Sequence, residues 1–452
     1  MSLQVSRILH AGYLFECAGT RVVFDPIFEN PFSRNCHAFP PVSFDREEIK
    51  KQRWDAVFIS HFHDDHCSLE SLDLLHRDTP IYMFCVHEDI FDWIRDLGFR
   101  SVTPLRLNHP YEIGSLTVTP RRALDADVDS IFQIEASGLK VLNVVDAWID
   151  PDMLARLQME GLWDLILWPF QTMREMEVLS PSRAEPASGE LPEEWIEQLR
   201  RLKPRFLVPS SCQFQQEDWS WYNQAFFPVT YAGFAKQVGQ ILPQTQVMRL
   251  NPGVSIHLQK ESIRPATALS WIQPVGEQNL DYRYAPELKA PPTAEIALRF
   301  EPLSEEQMQT VDHYCREVLP ARYRELGPFE EGYFREPRSW RLSVYDHRGQ
   351  VQDYHYRVDS NSMCVLQSSQ EPASWTTEVP VARLFGAIQS GESLTSMYVR
   401  INDGVFCADI EDELKNADLL EDPLVVALFS GTFGSYQRAQ LAKLKSSKGV
   451  EK

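Results

Sequence analysis

Basic charge and long apolar runs are scarce in this sequence, and each shortage excludes a class of partner. The 452 residues hold 44 Lys and Arg against 64 Asp and Glu, which gives a formal net charge of −20. This acidic balance argues against nucleic acid or an anionic membrane surface as the main partner. No apolar run approaches the length that spans a bilayer, so we expect no membrane insertion. The expected substrate is a small molecule.

Cysteine and glycine are also sparse. The eight cysteines show no repeated spacing, and the opening residues lack the basic start and apolar run of a signal peptide. We therefore expect a cytoplasmic protein with reduced thiols. The 20 glycines are outnumbered by 30 prolines, which favours many short elements joined by firm loops.

The order of predicted elements divides the chain into four parts. Residues 1–258 alternate short β-rich runs with helical patterns, which predicts mixed sheets with helices outside them. Residues 259–295 are proline-rich with little periodicity and are predicted to form a linker or arm. Residues 296–440 are typical of a smaller α+β domain, whose expected role is packing or homodimerisation, and 441–452 form a basic tail.

Histidine is rare too, with 12 in the whole chain, yet three lie within "HFHDDH" at positions 61–66. The segment follows "DAVFIS", a predicted strand, in which alternate side chains share a face, so His61 and His63 point the same way. If the chain then turns into a helix capped by Ser68, Asp65 and His66 reach the same cavity. Imidazole and carboxylate together suit zinc, iron or manganese, and a polar surface turn is the alternative interpretation.

His-x-His-x-Asp-His after an apolar strand resembles the metal signature of the metallo-β-lactamase superfamily. The resemblance covers residues 4 to about 258 and implies an α/β fold, a four-layered αβ/βα sandwich. "ILHAGYLFECAGTRVVFDP" further resembles the opening hairpin of the branch that contains the ascorbate-phosphate lactonases and N-acyl-phosphatidylethanolamine phospholipase D. The resemblance implies one or two divalent metal ions, with zinc as the first expectation and iron or manganese as alternatives.

The resemblance also implies roles for individual residues. The expected ligands that match the motif are His61, His63, Asp65, His66 and Asp146. Asp146 falls where the family's bridging Asp ends a strand, although the usual Gly-Asp-Thr is here Val-Asp-Ala, and it is expected to act in catalysis with Asp65. Asp25 is expected to accept the second N–H of a ligating imidazole.

The middle histidine of the family pattern has no counterpart here. Its place is taken by "RRALDADVDS", in which Asp125 is the first choice as ligand and Asp127 or Asp129 are the alternatives. A carboxylate in place of an imidazole hardens the site and shifts its preference from zinc toward iron or manganese.

The last histidine of the pattern is also absent, since no histidine occurs between 110 and 256. The corresponding segment, "FLVPSSCQF", offers Ser211, Cys212 or Gln213, of which the Cys212 thiol is the preferred ligand. His10 in the opening hairpin is expected to make a structural hydrogen bond.

Two segments are predicted to border the cavity and contact the substrate. "WPFQTMREMEV" follows a predicted strand and contributes Gln171 and Arg174. "CQFQQEDWSWYN" contributes Trp219, beside which a large organic substrate would find aromatic surface.

Three functions fit this pattern. The first is a metal-dependent hydrolase in which a metal-bound hydroxide attacks an ester, lactone or phosphoester of a small or amphipathic molecule. The second is a dinuclear iron oxygenase on the same fold. The third is a non-catalytic relative whose depleted second site holds one metal or none and whose cleft binds a ligand or partner.

Overall fold

The computed structural model describes residues 2–172, 177–329, 331–367, 372–403, 417–430 and 432–449. The chain forms two compact units. Unit 1 comprises residues 1–173, 187–286 and 440–452, and unit 2 comprises residues 174–186 and 287–439. Residues within the segment expected to be a linker or arm contribute two short strands to unit 1, Ile263–Ala266 and Ile272–Pro274.

Unit 1 is a mixed α/β structure. Its strands are β1 Leu3–Arg7, β2 Tyr13–Cys17, β3 Thr20–Phe24, β4 His37–Ala38, β5 Val42–Phe44, β6 Ala56–Ile59, β7 Ile81–Met83, β8 Val102–Pro104, β9 Tyr111–Ile113, β10 Leu116–Arg122, β11 Ser130–Ala136, β12 Leu139–Asn143, β13 Leu165–Trp168, β14 Phe206–Pro209, β15 Phe214–Gln215, β16 Gln246–Val247, β17 Ser255–Leu258, β18 Ile263–Ala266 and β19 Ile272–Pro274. Its helices are α1 Arg46–Lys51, α2 Leu69–Leu72, α3 Asp89–Asp96, α4 Pro151–Met159, α5 Glu193–Leu202, α6 Tyr222–Ala225 and α7 Tyr231–Ile241.

Two large sheets dominate unit 1. The first has the strand order β18-β17-β1-β2-β3-β6-β7-β8 and the second β16-β14-β13-β12-β11-β10-β9. Their inner faces share one apolar core, in which the ring of Phe24 from β3 lies 5.1 Å from that of Phe132 from β11. This architecture confirms the predicted mixed α/β class.

The topology gathers several loops at one edge of these sheets. Strands β3, β6 and β7 run parallel in the first sheet, as do β12, β13 and β14 in the second. Ligand sites in open α/β sheets lie beyond the carboxyl ends of such strands. The residues that follow β3, β6, β12 and β14 include Asp25, the histidine loop, Asp146 and Ser211.

Unit 2 contains one five-stranded sheet of order β22-β21-β20-β23-β24. Its strands are β20 Arg338–Tyr345, β21 Val351–Val358, β22 Met363–Leu366, β23 Trp375–Pro380 and β24 Arg400–Ile401. Its helices are α8 Thr293–Ala297, α9 Glu305–His313, a π-helix Tyr314–Val318, α10 Leu319–Leu326, α11 Val381–Ser390 and α12 Pro423–Phe429; three 3-10 turns are Glu177–Leu179, Tyr333–Arg335 and Leu419–Glu421. A last helix, α13, spans Ser435–Gly449.

A buried carboxylate anchors α12 to the sheet of unit 2. Asp422 accepts hydrogen bonds from the backbone N–H groups of Leu424 (3.0 Å) and Val425 (3.2 Å), as an N-cap residue does. Its other oxygen accepts from the Trp375 indole N–H at 2.7 Å and from the Thr377 hydroxyl. Within the described ranges, no helix combines the length and apolar character needed to cross a bilayer.

Candidate metal centre

The histidine loop leaves a fully buried strand and turns at once. After β6, the backbone N–H groups of His66 and Cys67 both donate to the His63 carbonyl, at 3.0 and 2.8 Å. The turn delivers the chain to α2, where Ser68 caps the helix by accepting from the Ser71 N–H. The N-cap predicted at Ser68 is confirmed, and the buried imidazoles of His61 and His66 point inward while His63 stays exposed.

Seven side chains of this region form two groups with the spacing of metal ligands. We call His10, Asp65, His66 and Asp146 the inner group, and His61, His63 and Asp129 the outer group. Within each group, one ligand atom of every residue lies within 4.8 Å of the others.

The inner group has the dimensions of one ligand shell. The Nε2 atom of His10 lies 3.1 Å from Nε2 of His66 and 3.2 Å from Oδ2 of Asp65. The Oδ2 atom of Asp146 lies 2.9 Å from Nε2 of His66 and 3.6 Å from that of His10. Ligands around a tetrahedral zinc ion are about 3.3 to 3.4 Å apart, given bond lengths of about 2.0 to 2.1 Å. The four atoms therefore fit a single divalent cation.

Asp25 fixes the orientation of the histidine loop through hydrogen bonds to Ser60 and His66. One oxygen accepts from the Ser60 backbone N–H at 2.7 Å, and the other accepts from the Ser60 hydroxyl at 2.7 Å and from Nδ1 of His66 at 3.0 Å. A ligating imidazole needs an acceptor for its second N–H, which leaves Nε2 of His66 free for a cation. The Ser60 hydroxyl in turn lies 2.9 Å from Nδ1 of His61.

His10 reaches the inner group from the turn after β1. The fully buried guanidinium of Arg7 donates to the His10 and Ser210 carbonyls, both at 2.5 Å, and to the Pro209 carbonyl at 3.1 Å. The backbone N–H of Cys212 donates to Nδ1 of His10 at 3.1 Å, so a neutral ring carries its proton on Nε2, and a cation bound there replaces it. Two segments distant in sequence thus hold His10 in place.

The outer group is more open than the inner group. His63 is exposed, Asp129 is 20% exposed, and Oδ1 of Asp129 lies 3.8 Å from Nδ1 of His61. Asp129 directly precedes β11, whose first residue, Ser130, donates its hydroxyl hydrogen to the Ser60 carbonyl at 2.8 Å. This bond sets the Asp129 turn against the histidine loop.

The structure places Asp129, and not the Asp125 favoured from the sequence, beside His61 and His63. Asp125 is exposed and lies outside both groups. Its carboxylate accepts from the Asp127 N–H at 3.3 Å, and its carbonyl accepts from the Asp129 N–H at 2.8 Å. The Asp125 side chain therefore closes its own turn, which carries Asp129 round to His61.

Other predicted site residues lie elsewhere. The Cys212 thiol belongs to neither group, and its backbone N–H instead contacts His10. Both ends of the Gln171 amide bind the Val229 backbone, at 2.5 and 3.1 Å, which occupies the groups expected to meet substrate. Trp219 lies partly exposed in the turn before α6, and Arg174 lies outside the described residues.

Burial and neighbouring charges shift the pKa values of the inner group. Burial alone would lower the pKa of His66, but the Asp146 and Asp65 carboxylates outweigh it and hold that pKa well above its usual value. The pKa of Asp146 is held well below its usual range, against burial, mainly by His66. In the outer group, burial and the repulsion of Asp146 raise the pKa of Asp129 to about 6.

His10 was expected from the sequence to make a structural hydrogen bond, whereas the structure brings its Nε2 atom into the inner group. The family pattern places the last ligand in the segment after β14, so Ser211, Cys212 and Gln213 were the candidates there. The only signal was a histidine in a tight turn at the end of the first strand, "ILHAG", and that turn lies at the same sheet edge as the other loops. For Asp129, the signal was its place directly before an apolar strand.

Residues 20–210 match the family model described as a beta-lactamase superfamily domain. The chain contains a domain of the metallo-β-lactamase superfamily. This confirms the superfamily predicted from the histidine loop, whereas the branch within it stays a prediction. Part of this chain is similar in sequence to the cytidine monophosphate-N-acetylneuraminic acid hydroxylase of Xenopus laevis, with 26% identity over 152 residues. That match covers 32% of this chain and 26% of the hydroxylase, so this chain spans about a quarter of that relative's length.

Two solved structures are similar to part of this chain. Igni18, a metallo hydrolase from Ignicoccus hospitalis, has a TM-score of 0.41 and 18% identity and covers 57% of this chain and 99% of its own. CmlA, a diiron beta-hydroxylase from Streptomyces venezuelae, has a TM-score of 0.39 and 16% identity and covers 57% of this chain and 54% of its own.

Proposed function

We propose that this protein is a metal-dependent hydrolase that binds two divalent cations, one in each group, and reacts at the outer group. The observation that carries the proposal is the difference between the groups. The inner group offers four ligand atoms, and both of its histidines are buried, whereas the outer group offers three and includes the exposed His63. Structural zinc sites use four protein ligands, while catalytic sites use three and keep one position open.

Each group would hold one cation with its own side chains. His61, His63 and Asp129 would hold the outer cation, and the four residues of the inner group, Asp146 among them, would hold the other. A cation in such an open position supplies Lewis acidity and lowers the pKa of water. Asp25 and Ser60 keep the imidazoles oriented, since each offers oxygen to a ring nitrogen.

An apolar pair next to the ligands supports an amphipathic substrate. Leu124 is 52% and Trp148 is 38% exposed, and the Leu124 N–H donates to the Trp148 carbonyl at 2.7 Å. Leu124 precedes the Asp129 turn, and Trp148 follows Asp146 by two residues. We propose an ester, lactone or phosphoester with an apolar portion, and the net charge of −20 makes nucleic acid an unfavourable partner.

Metal content and turnover test this proposal together. Protein purified without chelator is expected to contain two equivalents of zinc and to hydrolyse p-nitrophenyl acetate, p-nitrophenyl octanoate or bis(p-nitrophenyl) phosphate. Chelation should abolish turnover, and zinc should restore it. Turnover that survives complete removal of metal would contradict the proposal, as would metal-loaded protein inert toward every ester, lactone and phosphoester tested.

A dinuclear iron oxygenase is the second candidate. The inner group contains two histidines besides its two carboxylates, and the outer group is two histidines and one carboxylate, the set typical of non-haem iron oxygenases. The similarity of part of this chain to a protein named as a hydroxylase supports an oxygenase, without indicating which metal it would use. Anaerobic loading with Fe(II) followed by oxygen distinguishes the two: two bound irons with oxygen consumption support the oxygenase. Substoichiometric binding of every metal would instead support a non-catalytic relative.

A further inference from the structure

Val145 adopts a backbone conformation that β-branched residues rarely tolerate. Its φ angle is 63°, in the left-handed region, and its side chain is completely buried. It directly precedes Asp146, which contributes a carboxylate oxygen to the inner group. The direction in which Asp146 leaves the backbone therefore depends on a strained residue.

Two buried side chains brace this residue on both sides. The Oδ1 atom of Asn143, the last residue of β12, accepts from the Val145 N–H at 3.1 Å. The Ser211 hydroxyl, just beyond β14, donates to the Val145 carbonyl. Asn143 and Ser211 are both fully buried, so water does not compete for these bonds.

Backbone hydrogen bonds on either side of Val145 restrict its φ and ψ angles. The Val144 N–H remains in the sheet and donates to the Leu167 carbonyl at 3.0 Å, while the Ala147 N–H returns to the Val144 carbonyl at 3.3 Å. The turn is thus closed at both ends around Val145. Its middle peptide groups are fixed only by the side chains of Asn143 and Ser211 among the described contacts.

We propose that Asn143 and Ser211 are positioning residues that hold Val145 in its left-handed conformation and thereby aim Asp146 at the cations. This inference rests on the proposed metal centre. The segment after β14 contributes no residue to either group, but its Ser211 hydroxyl donates to the Val145 carbonyl in the turn before Asp146. Glycine adopts the left-handed conformation without strain, so a glycine at 145 would need no brace.

The test is a suppressor experiment with Co(II) as the spectroscopic probe. Ser211→Ala is expected to weaken Co(II) binding about 10- to 100-fold, the usual effect of removing a residue that orients a ligand. Adding Val145→Gly to Ser211→Ala should restore most of that affinity, and Val145→Gly alone should bind nearly as the wild type does. Titration against a competing chelator, followed by the Co(II) absorption, gives the affinities.

Ser210→Ala is the matched control, because the Ser210 hydroxyl contacts Tyr13 at 2.9 Å and not the Val145 turn. A general loss of stability would affect both serine variants and would not be relieved by Val145→Gly; that result would overturn the inference. Unchanged Co(II) affinity in Ser211→Ala would do the same. Wild-type protein that binds no Co(II) would instead refute the proposed metal centre and the inference with it.

Discussion

Gln440 and Ser68 lie 372 positions apart in the sequence and share a hydrogen bond of 3.0 Å, donated by the Gln440 amide to the Ser68 hydroxyl. The carbonyl oxygen of the same amide accepts from the Leu69 N–H at 2.8 Å. Ser68 also donates to the buried carboxylate of Glu29. Helix α13 is therefore bonded to the start of α2, which directly follows the histidine loop.

Gln440→Met is expected to lower the free energy of unfolding by about 1–3 kcal/mol, because the buried Leu69 N–H loses its acceptor. Metal affinity should fall less than tenfold, since α2 follows the histidine loop but carries no ligand. Urea unfolding and chelator competition measure the two effects. Lys443→Met is the control: its ammonium pairs with Glu70 at 2.7 Å but is 73% exposed, so it should change stability by less than about 1 kcal/mol.

His10→Ala is expected to remove one of two bound cations and leave the other. His10 provides one of the four inner ligand atoms and none of the outer ones. Metal analysis after gel filtration should show one equivalent in place of two. His109→Ala serves as the control, because His109 belongs to neither group. Two retained equivalents in His10→Ala would return His10 to the structural role expected from the sequence.

Asp129→Asn should weaken the outer position and lower kcat/KM at least 100-fold, because the isosteric amide removes the only carboxylate of that group. Asp125→Asn, in the same turn, should change kcat/KM less than threefold, since Asp125 is exposed and its side chain binds only local backbone among the described contacts. The comparison requires steady-state kinetics on any ester that the wild type hydrolyses. Equal losses in both variants would argue that the turn as a whole, and not the Asp129 carboxylate, matters.

Asp422 predicts a pH dependence of stability. Burial raises the pKa of its carboxyl from 3.8 to about 6, despite hydrogen bonds from Thr377 and Trp375. The folded state therefore holds this proton more tightly than the unfolded state, and the stabilisation is complete below about pH 4 and lost as the pH rises through 6. A shift of about two pKa units corresponds to about 3 kcal/mol.

Asp422→Asn carries no titrating proton, so its free energy of unfolding should vary less than the wild type's between pH 4 and 7. Denaturant unfolding of both proteins across that range isolates the contribution of Asp422 from other titrating groups. Parallel curves would show that Asp422 keeps a normal pKa in the folded protein.

The part of the site that is local in sequence was predictable. His61, His63, Asp65 and His66 follow one buried strand, and the period of two, the turn and the cap at Ser68 are enough to bring them together. These rules involve neighbours within about eight residues and do not depend on the rest of the fold.

The non-local part was not predictable in the same way. His10 reaches the inner group because the sheet order places the end of β1 at the edge where β6 and β12 also end. Asp129 is selected over Asp125 by a side-chain bond within the turn and by the Ser130 contact with Ser60. Residue type alone gives three equivalent aspartates in this segment, and only the backbone path distinguishes them.

His10 has a consequence for how the protein matures. His10 lies in the turn between β1 and β2, and the other residues of the inner group, Asp65, His66 and Asp146, are synthesised much later. A cation in that position would cross-link the β1–β2 hairpin to the rest of the domain, and it could do so only after the later residues have folded. Depriving the protein of metal should then expose the amide hydrogens of residues 8–12 to exchange before those of the central strands.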